Sequence, residues 1–584
     1  MPSEPAKFGI AQGSLFVVFG LNLGPTQLQQ SSSFPLPLRL GGSSVRVEVE
    51  GAQLDAIMIY TSAIQLAALL PSNTPTGNGT LTVTYNGIVS NPAPIKVVPS
   101  AFGIYTIAQN GRGPGVVTNP SYQVNSASFS ANPGETLIIW GTGLGPVSGD
   151  EGAGPLPGSL GTDTQVFVGA KSARVEYAGR SGCCAGLDQI AFDVPPGVEG
   201  CFVPLAVRTG GVVSNFPSLS IAPQGRQCAE PAGVPVTAMT KAAAGGNLRV
   251  GAIALGQNDL IGAVESSIGL KETSAPLLTA LDLMLWPGRT TAPATQQSSK
   301  ELRERARQAI QHYKQDRRQG KPVRLNRQSV QRILAAPAEE SVTAGFSSLR
   351  NISPLLSHLI STVSAVGACS VLTCGNLDCG LGSAIPLTPG NRGFGSALDA
   401  GPGLTLSGPS GPLAVPKVAS GKYGATFPAI GPPGQLPPAD YSVAGPGGAD
   451  VGTFSAHLTV GAPLSWTNKD AISLVDRSQD LTVTWNRERV TGYVVVGGLF
   501  SSPVSGALEI FICGERSATG SVTIPSFVLS ALPVDHSLSP SAPVLAKGYL
   551  FLAVHPLANT FTAPGLDLGY FSDFSLDMKR LLYQ

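Results

Sequence analysis

The sequence predicts a mainly β protein built of tandem sandwiches, with a helical insertion and a C-terminal β-sandwich domain. Three observations predict it. One stretch occurs twice: Gly13 to Pro25 reads GSLFVVFGLNLGP and Gly134 to Pro146 reads GETLIIWGTGLGP. Short apolar runs divided by Gly and Pro fill both ends of the chain, which is the pattern of strands and turns. Between those ends the hydrophobic period changes to that of helices.

The duplication extends beyond its opening strand. Gln65 stands six residues before Pro71 in QLAALLP, and Gln189 six before Pro195 in QIAFDVP. NGIVSNPAPIKVVP from Asn86 is answered by GGVVSNFPSLSIAP from Gly210, and Ser90/Ser214 and Asn91/Asn215 keep the offset of the Gln pair. Markers matching in one order are an internal repeat, which predicts equivalent strands for Gln65 and Gln189. Within copy one, Leu15 to Phe19 are all apolar between glycines, as in a strand buried on both faces. Leu81, Val83 and Tyr85 alternate with Thr82 and Thr84, giving a strand with one wet face. Asn86-Gly87 and Gly210-Gly211 supply the positive φ angles of two-residue hairpin turns. Strands of this length and spacing indicate Ig-like sandwiches at residues 8–99 and 130–225. A connecting hairpin at 100–129, with Tyr105, Ile107, Val116 and Val117 around Asn110-Gly111, is expected to brace them.

These stretches, with the linker SAFGIYT and with VEYAGRSGCCAGLDQIAFDVP, resemble the Solibacter-type uncharacterised C-terminal domain family of secreted acidobacterial proteins. The resemblance covers roughly residues 8–225. It implies tandem Ig-like, TIG-type sandwiches and secretion, and it implies no activity and no functional residue.

Charged residues are 12% of the chain and the net charge is +1, which argues against a general polyanion binder. No apolar run approaches the ~20 residues of a membrane span. The opening MPSEPAKFGIAQGS does not read as a secretory leader, so the expected extracellular or cell-surface location supposes numbering that starts on a mature or trimmed chain. Eight cysteines support that location. The spacings around Cys183-Cys184 and Cys369, Cys374 and Cys379 do not match the C-x2-C pairs of zinc sites, so disulfides are favoured over metal. An antiparallel return brings the chain after Ala222 back to Cys201, which pairs Cys201 with Cys228. Cys183 and Cys184 are left to join each other or to bridge elsewhere. Cys374–Cys379 is expected as a local loop and Cys369–Cys513 as a long closure.

Residues 226–368 read as a linker and helical insertion. Thr273-Ser274 and Pro276 open LLTALDLMLW, and Ser298 with Glu301 forms a capping box before Leu302, Ala306, Ala309, Ile310 and Tyr313 on one face. Asn326 caps a helix with Val330, Ile333 and Leu334, and Leu355 to Val363 is a further candidate. Lys300 to Arg332 holds eleven basic and three acidic residues, a net of +8, so the rest of the chain carries −7. Lys300, Arg303, Arg307, Lys314, Arg317, Arg318 and Arg324 define a basic face. It is expected to project from the β framework and to serve self-association or docking on an envelope or anionic polysaccharide; nucleic acid is not the expected partner, since only Tyr313 offers stacking. Residues 369–584 return to strand-like runs, enough for a C-terminal sandwich domain. SWTN at Trp466 and LTVTWN at Trp485 also resemble segments of longer proteins that carry the Solibacter-type domain.

No catalytic pattern is present. The histidines His312, His358, His457, His536 and His555 stand near no G-x-S-x-G, and GPSGP at Gly408 reads as a turn. Glu509 and Asp399 are the acids in apolar surroundings, and Glu509 is expected to face water from its strand. Gly141-x-Gly143-x-Gly145 ends in Pro and leads to no helix, unlike a dinucleotide fingerprint. No acidic calcium loop is visible. Trp466 and Trp485, with Trp140 and Tyr441, could stack on sugars, although tryptophan in a sandwich is more often core. The expectation is a secreted, non-catalytic structural or adhesive protein without a cofactor. The alternative is a carbohydrate-binding or carbohydrate-processing module in the C-terminal domain.

Overall fold

A computed structural model describes residues 9–229, 235–243, 246–257, 339–349, 367–374, 396–428, 436–488, 492–501, 508–532, 548–554, 559–573 and 576–584. In copy one, a four-stranded sheet runs in the order Leu15–Phe19, Gln65–Leu69, Ile57–Thr61, Gln29–Gln30. It faces a sheet in the order Ile10–Ala11, Ala93–Val98, Gly77–Tyr85, Ser43–Val49, Ala52–Asp55. The core between them holds Val45, Val47, Val49, Met58, Leu66, Ala68, Leu81 and Val83, the inward residues of strands with period two.

Copy two repeats this pairing scheme with one strand fusion. Thr136–Thr142 pairs with Asp188–Asp193 as Leu15–Phe19 pairs with Gln65–Leu69, and Trp140 lies opposite Gln189 as Phe19 lies opposite Gln65. The two glutamines therefore occupy equivalent strands in equivalent register. The long strand Lys171–Arg180 replaces both Ala52–Asp55 and Ile57–Thr61. It pairs with Thr164–Val168 at one end and Asp188–Asp193 at the other, bending at a register shift between Val175 and Tyr177.

The repeated markers have structural reasons. Leu23 and Leu144 of the two LGP corners plug their cores, and each carbonyl accepts a hydroxyl, from Ser43 Oγ at 2.8 Å and from Thr162 Oγ1 at 2.6 Å. Ser90 and Ser214 each take a strand N–H (Val83 and Val207) and donate to the next residue's carbonyl. The hairpin turns have positive φ at Asn86, Gly87, Gly210 and Gly211, as their sequences require.

In the C-terminal part, one large sheet contains Gly403–Gly408, Gly411–Ala419, Lys422–Pro428, Ala439–Gly445 and Phe454–Val460. A five-stranded sheet runs Ala368–Cys374, Leu508–Arg516, Tyr493–Ser501, Gly548–Val554, Leu576–Leu581. Copy two packs on this part through Phe167 and Phe216, which stack on Phe527.

The helical insertion is not part of the described fold. The two short α-helices among the described residues are Val236–Ala243 and Ser526–Ser530. The helices expected around 277–286, 302–313, 326–334 and 355–363 lie outside the described residues, as does the whole basic face from Lys300 to Arg324. The described flanks of that region are strands. Leu248–Gln257 and Glu339–Leu349 pair antiparallel from Leu248 opposite Leu349 to Gln257 opposite Glu340. Glu339–Leu349 also pairs with Lys422–Pro428, and Leu248–Gln257 runs parallel to Leu568–Asp573. Both flanks thus enter the large C-terminal sheet.

Candidate functional site: the junction of the two Ig-like modules

The strand Lys171–Arg180 ends at the face where copy one meets copy two, and the turn after it carries Cys183 and Cys184 before Asp188 opens the next strand. The pairing of these two strands sets Arg180 opposite Asp188. Arg180 is 1% exposed, Asp188 0% and Glu151 6%, so one guanidinium and two carboxylates are shut away from water. Arg180 Nη1 donates to the Gly13 carbonyl of copy one at 2.8 Å and stands 3.2 Å from Asp188 Oδ1. Its Nη2 donates to the Gly145 carbonyl at 3.0 Å and stands 3.6 Å from Glu151 Oε1. Asp188 Oδ2 accepts the Leu144 N–H at 2.8 Å, so the LGP corner of copy two supplies a donor to the acid and an acceptor to the base.

Further hydrogen bonds cross between the copies. The Ser72 N–H donates to Glu151 Oε2 at 3.0 Å, and the Val147 N–H to Ser72 Oγ at 2.9 Å. The Leu15 N–H donates to Thr142 Oγ1 at 2.9 Å, and the Leu36 N–H to the Gly152 carbonyl at 2.7 Å. Beside them Ile57 and Leu69 of copy one and Ala185 of copy two form a small apolar cluster, with Leu15, Leu36 and Ile59 packed against it. Burial pushes the Asp188 carboxyl up to about 6, with Arg180 and the N–H groups of Leu144 and Gly143 pulling it back. Burial, followed by the Asp188 charge, pushes the Tyr105 phenol up to about 12. The cluster is a bolt between modules, and its chemistry is electrostatic pairing in a closed space.

The connector turns back on itself and is pinned to copy two. Ile107 N–H donates to the Pro114 carbonyl and Val116 N–H to that of Tyr105. Asn215 holds it, with Oδ1 accepting the Ile104 N–H at 2.8 Å and Nδ2 donating to the carbonyls of Ile104 and Gly111 at 2.9 Å. The glycines Gly141 and Gly143 allow this approach. A Cβ on Gly141 would strike the Gly103 carbonyl and the Phe102 ring, and one on Gly143 the Ala101 carbonyl. The Gly-x-Gly-x-Gly pattern is therefore a packing feature.

Cys201 joins Cys228 and Cys369 joins Cys513, the latter directly across the paired strands Ala368–Cys374 and Leu508–Arg516. Cys183 and Cys184 join each other on the exposed turn. The side chains of Cys374 and Cys379 lie outside the described residues. Trp466 and Trp485 are 6% and 3% exposed, sit opposite one another in a β-bridge and belong to one core cluster. Neither can offer a ring face to a sugar, which corrects the platform reading; Tyr441 is equally buried. Glu509 is 1% exposed, against the expected water-facing position, because the five-stranded sheet is covered on both faces there. Asp399 is tied into a loop: it pairs with Lys417 and accepts the N–H groups of Gly401 and Ala449, and these partners hold its carboxyl below the usual range. His457 is an exposed strand residue beside Ser455, and the other four histidines lie outside the described residues. No cluster of three or more metal-binding side chains occurs among the described residues.

Sequence reasoning missed the Arg180 cluster. The signal was present: in a chain this poor in charge, an Arg and an Asp bracket a Gly-rich turn between apolar strands.

No protein-family profile matches the chain, and no curated protein matches it. Among solved structures it is similar to a γ-cyclodextrin glucanotransferase (γ-CGTase) of an alkalophilic Bacillus clarkii, at 13% identity and TM-score 0.15, over 41% of this chain and 25% of that one. It is also similar to a Ca2+-stabilised adhesin with which an Antarctic bacterium binds ice, at 8% identity and TM-score 0.11, over 96% of this chain and 93% of that one. A third is the titin Ig tandem A164–A165, at 12% identity and TM-score 0.12, over 31% of this chain and 82% of that one. The chain spans a quarter of the length of the glucanotransferase. With TM-scores this low, the likenesses carry no weight for function.

Proposed function

We propose that the chain is a non-catalytic structural or adhesive protein of the extracellular space or cell surface, whose two N-terminal Ig-like modules act as one stiff spacer. The bolted junction carries this reading. A tandem that only needed tethering would require a linker, whereas here Arg180 reaches the Gly13 backbone and the acids around it are sealed in. A buried ion pair adds little net stability and is retained where it enforces one arrangement. The disulfides Cys201–Cys228 and Cys369–Cys513 support the location, because such bonds persist in oxidising compartments.

The test is fractionation of producing cells, with maleimide labelling of the chain before and after reduction. The expected result is chain in the medium or surface fraction whose Cys201, Cys228, Cys369 and Cys513 react only after reduction. Chain confined to the cytoplasm with those thiols reactive overturns the reading. A glycan array and hydrolase screen on the same protein tests the carbohydrate alternative.

A further inference from the structure

The two modules differ at one edge. In copy two, the strand Thr136–Thr142 is covered on its outer edge by the connector: Gly103–Ile104 and Val117–Thr118 both pair with it antiparallel. The Trp140 N–H donates to the Val116 carbonyl at 3.1 Å, the Trp140 carbonyl accepts the Tyr105 N–H at 3.0 Å, and Tyr122 stacks on the Trp140 ring. In copy one the equivalent strand, Leu15–Phe19, is the outer strand of its sheet and pairs with Gln65–Leu69 alone among the described residues.

Which backbone groups face outward follows from the ladder. Leu70 N–H donates to the Ser14 carbonyl and Gly20 N–H to that of Ile64, so the even-numbered residues bond inward. The odd-numbered ones point to the free edge. Leu15 spends its N–H on Thr142; Val17 and Phe19 face solvent. Their side chains are 44% and 75% exposed, and Leu21 and Ile64 beside them are 82% and 64% exposed. No charged residue occurs in any of the four strands of this sheet, nor anywhere from Gly13 to Leu38. Edge strands are ordinarily guarded by charge, proline or a covering segment. The covering segment guards the sister module, and among the described residues this edge has none of the three.

We propose that Leu15–Phe19 is a β-pairing site and that its occupant is the same strand of a second copy of the chain, antiparallel about a two-fold axis at Val18. An uncharged edge offers nothing to a charged partner and meets no like-charge repulsion from itself. The two-fold register that uses only free groups sets Val17 opposite Phe19 of the second copy and Phe19 opposite its Val17, so that each pair exchanges two hydrogen bonds. It also brings two aromatic–β-branched side-chain pairs together on one face, a favourable cross-strand combination. The sister edge already accepts antiparallel strands at this position. The contact is small, which places it with weak, concentration-dependent associations. This inference deepens the structural reading of the chain, since it names the surface through which spacers would assemble.

The experiment is sedimentation velocity of the full chain from roughly 1 to 200 µM, together with amide hydrogen exchange at both ends of that range. The expected result is dimerisation, with protection at Val17 and Phe19 that rises with concentration. Val17→Pro removes an N–H that only a partner uses, and Phe19→Lys places a charge on the outer face; each is expected to weaken the dimer by about tenfold or more, equivalent to ~1.4 kcal/mol. Should Val17→Pro fail to fold, Phe19→Lys and the exchange data decide. A monomer throughout the range, or a dimer that both variants leave intact, overturns the proposal. Those outcomes leave the surface location standing, whereas a cytoplasmic chain would overturn the location and leave the edge pairing standing.

Discussion

Replacing Arg180 with Met tests the junction directly. The change keeps much of the side chain's length and removes the one cation that, among the described residues, lies within 4 Å of Asp188 and Glu151, which are 0% and 6% exposed. It also takes a donor from the carbonyls of Gly13 and Gly145. Removing one partner of a buried pair leaves an uncompensated charge and costs about 3–5 kcal/mol. The lost carbonyl donors overlap with that figure and are not additional to it. Because the cluster lies at a module boundary, the acids can regain water by letting the modules part, so the loss is limited by the docking energy. Calorimetric unfolding of the full chain should show the N-terminal transition lowered, and small-angle scattering should show a longer, more variable molecule. Combining Arg180→Met with Glu151→Gln and Asp188→Asn removes the stranded charges and should recover most of the loss. A single variant that costs less than about 1 kcal/mol, or a triple variant no better than the single, would refute the bolt.

Three further outcomes are expected. Burial raises the Asp188 carboxyl from 3.8 to about 6, so the folded state holds this proton more tightly than the unfolded chain; its stabilising contribution is complete below about 3.8 and lost as pH rises through about 6, a change on the order of 3 kcal/mol. Urea titrations between those pH values should show that decline in wild type and lack it in Asp188→Asn. Asn215→Ala removes all three side-chain bonds to the connector and should cost about 1–3 kcal/mol, with faster amide exchange at Ile104; unchanged exchange would count against the brace. Since Gln257 lies opposite Glu340, replacing residues 258–339 with Asn-Gly should close a hairpin and keep the large C-terminal sheet. Loss of the strand signal in far-UV circular dichroism would show that the removed segment is needed for that sheet.

The features legible in the sequence are those set by neighbours along the chain. The Asn86-Gly87 and Gly210-Gly211 turns, the alternation of Leu81 to Tyr85 and the Cys201–Cys228 pairing depend on local φ preferences and on one antiparallel return. The duplication was legible because two copies restate one set of packing needs, with Leu23 and Leu144 filling the same place in each core. Only the tertiary structure decided what depends on distant partners. Glu509 reads as the exposed residue of an alternating strand, but which faces are covered is settled by other strands and loops. Leu248–Gln257 finds Glu339–Leu349 and Leu568–Asp573 across long intervals, with no local pattern to select them. Nothing local marks Arg180 and Glu151 for burial, because burial belongs to the assembled junction and to neither segment alone. The same holds for the Leu15–Phe19 edge: its apolar run predicts a strand, and only the tertiary structure places the connector on the other module and leaves this edge without a second neighbour among the described residues.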